Sequence, residues 1–194
     1  MRAIVLPLNA KLILKTGALV CCAAWAGFVG QSQAQADSRL EHAANAFYRI
    51  YLTTRPTGIP NAAIRAKFSP AISHTLARLL ERADSAERHY AKVTKRLVPP
   101  LVQGDVFTSL FEGAENFTMR DCKHTEAATV CRVELRYGSS SNTALWVDKI
   151  HLVRSSGRWV VDDIEYGGDW GFTHKGRLKD LLRKVITDGN HARA

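Results

Sequence analysis

The order of hydrophobic periods along this 194-residue chain predicts an α+β domain. Apolar residues recur at helical spacing as far as Leu97, alternate with a period of two between Gly104 and Tyr166, and return to helical spacing near the C-terminus. Helices grouped before the strands, rather than interleaved with them, imply an antiparallel sheet with N-terminal helices packed against it and a closing helix.

Residues 1–36 read as a cleaved export signal. Arg2, Lys11 and Lys15 precede any acidic residue, Thr16–Val29 is apolar, and Ala34-Gln35-Ala36 offers small side chains ahead of a cut before Asp37. The apolar stretch is shorter than the roughly 20 residues of a spanning helix. Two alternatives stand beside this reading: an uncleaved N-terminal anchor, and a lipoprotein modified at Cys21 or Cys22. Val20 before Cys21, and the apolar run continuing past both cysteines, do not suit lipidation. The expected organisation is therefore a signal peptide, 1–36, and one domain, 37–194, delivered to the periplasm with no membrane span after processing.

The chain carries 27 Lys+Arg against 18 Asp+Glu, and only three of the bases precede Asp37. The domain is thus basic, but its bases are dispersed as on a solvated surface, and nucleic acid is not an expected partner outside the cytoplasm. Cys122 and Cys131, with eight residues between them, are expected to form a disulfide in an oxidising compartment.

The first helix is expected to start at Ser38, with Glu41 completing a capping box, and to bury Leu40, Ala43, Ala44, Phe47, Tyr48 and Tyr51. Arg55-Pro56 should end it, and Pro60 should open a short helix carrying Ile64 and Phe68. Ser69-Pro70 reads as the start of a long helix. Its stripe of Ile72, Leu76, Leu79, Ala83, Ala86, Tyr90, Val93 and Leu97 suits a helix packed on its own domain better than a coiled coil.

Five strands are expected: Phe107–Phe111, Asn116–Cys122, Thr129–Tyr137, Leu145–Arg154 and Arg158–Tyr166, with a tight hairpin at Ser155-Ser156-Gly157. Strict alternation puts Cys122 opposite Phe117 and Met119, while Cys131 shares the face of Val133. A disulfide between neighbouring strands therefore needs a bulge near Arg120–Cys122, or one cysteine in the connecting loop. The last helix should be capped by Thr173, bury Leu178, Leu181, Leu182, Val185 and Ile186, and end at Gly189.

The segments Arg158–Tyr166 (RWVVDDIEY), Trp146-Val147-Asp148, Gly104–Leu110, Phe47-Tyr48-x-x-Tyr51 and Gly167–Phe172 together resemble the YbjP/YqhG-type family of small exported bacterial proteins. The resemblance implies a nuclear-transport-factor-2-like fold, a strongly bent antiparallel sheet wrapped into a cone around the helices. It implies no reaction.

Related cone folds include isomerases and dehydratases, so the resemblance directs attention to carboxylates and tyrosines of a cavity. Asp162, Asp163 and Tyr166 are the candidates for catalysis, with Asp148 on the neighbouring strand. Alternation puts Trp159, Val161 and Asp163 on one face and Val160, Asp162, Ile164 and Tyr166 on the other, with Trp159 an expected core residue. Tyr48, Tyr51, Tyr166 and Trp170 are the candidates for a ligand-binding mouth. No metal spacing, Gly-x-Ser-x-Gly elbow, phosphate cradle or Cys-x-x-Cys pair is present, so no metal or cofactor is expected. The expectation is an exported, non-catalytic binding domain. Its partner would be a small apolar ligand, a cell-wall fragment or an envelope protein, an immunity or inhibitor role included. A cavity enzyme using an inward aspartate as general base is the alternative.

Overall fold

The computed structural model describes residues 23–124, 129–139 and 142–192, with side chains from Ser38 onward. The chain divides into two units, Met1–Ala36 and Asp37–Ala194. The cationic start of the expected signal, and Cys21 and Cys22, lie outside the described residues. No helix among the described residues is long and apolar enough to cross a membrane.

The elements are α1 (Ala23–Thr54), α2 (Ala62–Phe68), α3 (His74–Val93), β1 (Asn116–His124), β2 (Thr129–Tyr137), β3 (Ala144–Ser155), β4 (Arg158–Glu165) and α4 (Leu178–His191). The fold is α+β, with four antiparallel strands in the order β1-β2-β3-β4. One core joins Leu40, Phe47 and Tyr51 of α1, Leu76 and Leu80 of α3, Val133 and Leu135 of β2, Ile150 and Leu152 of β3, and Leu182 of α4.

Several expected boundaries move, each for a physical reason. The first helix is already under way at Ser38, because the preceding run of glutamine and alanine contains no helix breaker. It ends where expected, with Arg55 at a left-handed φ of 39° before Pro56. Ser69-Pro70 does not start α3. Ser69 closes α2, and residues 71–73 instead bond the free edge of β4. Val161 N–H donates to Ala71 O at 2.9 Å and Ser73 N–H to Val161 O at 2.8 Å, making a parallel bridge between Ile72 and Val161. Ser73 then caps α3, accepting the Leu76 N–H at 3.0 Å. The stripe stops at Val93. Lys95 and Arg96 take positive φ, and Leu97 is 83% exposed.

Phe107–Phe111 is not a strand. Asp105 Oδ1 accepts the N–H groups of Phe107 at 2.5 Å and Thr108 at 2.8 Å, winding the segment into a buried turn before it can join the sheet. Nor does Gly189 end the last helix. It lies within α4 where that helix crosses α3, and a Cβ there would fall 2.7 Å from Ala86 O. Thr173 is not a cap, since its hydroxyl donates to Trp170 O at 2.8 Å. α4 is capped from outside its own sequence by Asp163, whose Oδ1 accepts the Lys179 N–H at 3.0 Å.

Of the two arrangements open to the cysteines, a bulge or a cysteine in the connecting loop, the structure takes the bulge. Register shifts between Met119 and Cys122, so Cys122 pairs with Cys131 across β1 and β2, and the two are joined by a disulfide with S–S 2.01 Å. Replacing both cysteines by serine is expected to lower unfolding free energy by about 2–3 kcal/mol, read as a lower urea midpoint at unchanged slope. A midpoint unmoved by the double replacement would show that this link does not constrain the unfolded chain.

Candidate functional site

Two stretches far apart in sequence, Asp105–Leu110 and Gly167–Phe172, meet at a buried carboxylate on β3. Asp148 is fully buried and accepts four hydrogen bonds. Oδ2 takes the Ser109 N–H at 2.9 Å and the Trp146 indole N–H at 3.1 Å. Oδ1 takes the Ser109 hydroxyl and the Gly167 N–H, the latter at 2.9 Å. Ser109 Oγ in turn accepts N–H groups from Gly167 and Gly168, each at 3.0 Å. The Gly167 backbone lies against β3 so closely that a Cβ would fall 2.0 Å from Val147 O. Ser109 is therefore no nucleophile awaiting a base. Its proton is committed to Asp148 and its oxygen to backbone amides.

The same loop is held from its other side. Tyr51 donates to the Asp105 carboxylate and accepts the Ala114 N–H at 2.6 Å. Tyr166 donates to Val106 O at 2.6 Å, and His174 Nε2 lies 2.8 Å from Asp105 O. Burial pushes the Asp105 carboxyl up to about 7 and also raises Asp148. It raises the Tyr48, Tyr51 and Tyr166 phenols and lowers His174. Asp105 is only 3% exposed.

Asp162 and Asp163 lie at a different place. A second bulge, between His151 and Leu152 in the β3–β4 register, leaves Asp162 outside the pairing and breaks the alternation expected along Arg158–Tyr166. Val161 and Ile164 consequently pair with Leu152 and Ile150, and Asp163 pairs with His151. Asp162 accepts the Ser73 hydroxyl at 2.5 Å and pairs with Lys179 Nζ at 2.5 Å. Asp163 accepts the N–H groups of Ile164 at 2.9 Å and Lys179 at 3.0 Å. Together these aspartates fix the starts of α3 and α4 to β4. Burial raises the Asp163 carboxyl. Neither aspartate meets Tyr166, which bonds the Asp105 loop.

The aromatic residues fill the interior. Tyr48 stacks on Phe117 with ring centres 4.8 Å apart, and Phe47 meets Tyr48, Phe68 and Phe107 at 5.2, 5.3 and 5.4 Å. Tyr48, Tyr51 and Tyr166 are buried; Trp170, 37% exposed, is the member of that set at the surface, edge-on to Trp146 at 5.6 Å. Tyr48 Oη is buried and has no hydrogen-bond partner among the described residues.

Open concavity lies elsewhere, in a groove of about 520 Å³ that sequence reasoning missed. Arg39, His42, Ala43 and Ala46 line it from α1, Pro70 and Ala71 from the following turn, and Arg154, Gly157, Arg158 and Trp159 from the β3–β4 hairpin. The available signal was the i, i+3, i+4, i+7 spacing of the α1 residues, which places bases and alanines on one stripe. Trp159, expected in the core, is half-buried and forms one wall. A second depression, of about 610 Å³, lies between Gly58-Ile59 and the end of α3 and holds its own carboxylate, Glu87. Among the described residues no cluster of three or more His, Cys, Asp or Glu is arranged to hold a metal. No protein-family model, curated protein or solved structure matches this chain.

Proposed function

We propose that this chain is an exported, non-catalytic binding domain of the nuclear-transport-factor-2-like cone class, which recognises its partner at its outer surface. The observation that carries the reading is the filled interior. Ring-on-ring packing occupies the space a cavity enzyme would keep open, and the buried carboxylates near it are bonded to backbone and side-chain donors. Helices before an antiparallel meander, and two bulges that would sharpen its bend, support the cone assignment. The motifs resembling YbjP/YqhG-type proteins, the leader-like residues 1–36 and the disulfide support delivery to the periplasm. Nothing at Asp162 or Asp163 favours the isomerase or dehydratase alternative, because both are engaged in joining helices to β4.

Protein recovered from an envelope fraction is expected to begin at Asp37 and to carry a non-covalent ligand or partner in native mass spectrometry. A chain found in the cytoplasm with Met1 intact, or one starting at lipidated Cys21 or Cys22, would overturn the soluble exported reading. Substrate turnover abolished by Asp163→Asn in a folded protein would overturn the non-catalytic one.

A further inference from the structure

We infer that the groove formed by α1, the Pro70-Ala71 turn and the β3–β4 hairpin binds an anionic amphiphile, a molecule with a phosphate-like head and an apolar body. The inference rests on the binding-domain reading and names the ligand class and the site. Its volume, about 520 Å³, falls within the range of small-molecule sites.

The walls have two chemistries. Ala43, Ala46, Pro70, Ala71 and Trp159 give an apolar floor, and the three alanines leave the room that larger side chains would fill. Arg39, Arg154 and Arg158, all exposed, line it together with His42, and among the described residues no aspartate or glutamate does. Arginines elsewhere, such as Arg65, Arg120, Arg132 and Arg183, reach carboxylates of this chain. Those of the groove reach none among the described residues. Arg154 donates to Gly157 O at 3.1 Å and lies 5.6 Å from the centre of the Trp159 ring. A guanidinium has five N–H donors, so one bond to Gly157 O leaves Arg154 others to offer a ligand.

The hairpin sets the Arg154–Trp159 part of this arrangement. Ser156 and Gly157 take left-handed φ values of 49° and 79°, a two-residue turn whose twist suits the flanking strands. Arg154 and Trp159 are thereby direct cross-strand partners, with Ser155 opposite Arg158. An oxyanion is the ligand head that uses several forked donors at once, and an alkyl or ring body is what the floor can desolvate. The second depression lacks this pairing of chemistries, because Glu87 is in its wall and Arg88 already pairs with Asp84.

The test uses protein expressed from the complete chain and purified as the cell processes it, titrated calorimetrically with dodecyl phosphate below its micelle concentration. Dodecanol and inorganic phosphate, each carrying half of the recognised chemistry, are expected to bind at least about tenfold more weakly. Ala46→Leu fills the floor, and Arg154→Gln with Arg158→Gln removes the head contacts. Each is expected to weaken dodecyl phosphate about tenfold or more while leaving the melting temperature unchanged. Equal affinity for dodecanol, affinity unchanged in both variants, or no binding of dodecyl phosphate would overturn the assignment. Co-sedimentation with phosphatidylglycerol vesicles, lost in the arginine double variant, would assign the head to a lipid still in its bilayer. Binding confined to the soluble amphiphile would assign a free, carried ligand. A native adduct that survives Ala46→Leu, with no dodecyl phosphate binding, removes the groove but leaves the binding-domain reading; no adduct and no binding removes both.

Discussion

Asp148→Ala is expected to lower the unfolding free energy by about 3–5 kcal/mol, the cost of removing the acceptor from a buried charge-assisted network. Four donors would lose their partner together: the Ser109 N–H and hydroxyl, the Trp146 indole and the Gly167 N–H. The Ser109 and Trp146 donors are buried, so they would be left without a partner unless the contact between the Asp105 loop and the Gly167-Gly168 segment opened to water. The loss is a large share of the roughly 5–15 kcal/mol that holds an ordinary domain together. Asp148→Asn would fare little better, since one amide oxygen replaces two carboxylate oxygens and the added NH₂ faces other donors. Urea denaturation followed by far-UV circular dichroism measures both variants. An Asp148→Ala midpoint equivalent to less than 1 kcal/mol from the parent would show that the network is not what joins these segments.

That network explains where sequence reading succeeds and where it stops. Strands β2 and β3 are legible because alternation is a local signal, and β4 is legible as a strand although its bulge breaks the alternation; the two cysteines narrow the end of β1 to a bulge or a loop without choosing between them. Asp105 hides its role because a single side chain accepting two backbone amides turns an apolar, strand-like run into a loop. Ser69-Pro70 misleads for a related reason. A proline-led helix start competes with bonding of residues 71–73 to the β4 edge, and the edge bonds win. Gly189 reads as a stop until α3 is seen to need its missing side chain.

The candidate site is harder still. Asp148 and Ser109 are 39 residues apart, and Gly167 lies a further 19 beyond Asp148. No period connects such positions, so a polar residue within an apolar run is the sole trace they leave. Asp162 and Asp163 stand out in the sequence as a pair, yet the bulge at Asp162 gives them different contacts, Asp162 with the Ser73 hydroxyl and Lys179 Nζ, Asp163 with the Lys179 N–H. The groove draws on α1, a turn and a hairpin, so its arginines look dispersed until the chain is folded.

Asp105→Asn is expected to flatten the dependence of stability on pH between about 4 and 7. Burial raises the folded-state pKa of Asp105 from 3.8 to about 7, ahead of the opposing hydrogen bonds from Tyr51, Phe107 and Thr108. The folded protein therefore holds a proton through a range in which the unfolded chain has released it. For a carboxyl raised on folding, this contribution is fully present below 3.8 and is lost as pH rises towards about 7. Its size across that window is on the order of 2–4 kcal/mol. Asp148, Asp163 and Glu87 are raised as well and act in the same direction. Glu165, His151 and His174 are lowered and act in the opposite one. The parent's profile is a sum of these, but the difference between parent and Asp105→Asn isolates one carboxyl. Asparagine keeps an acceptor for the Phe107 and Thr108 amides, so the turn itself is expected to survive. Unfolding free energies of both proteins measured at pH 4, 5, 6 and 7 should diverge steadily, with the variant gaining relative to the parent as pH rises. Parallel profiles would mean that Asp105 ionises in the folded protein as it does in the unfolded chain, and that its contact with Tyr51 is not sealed from water.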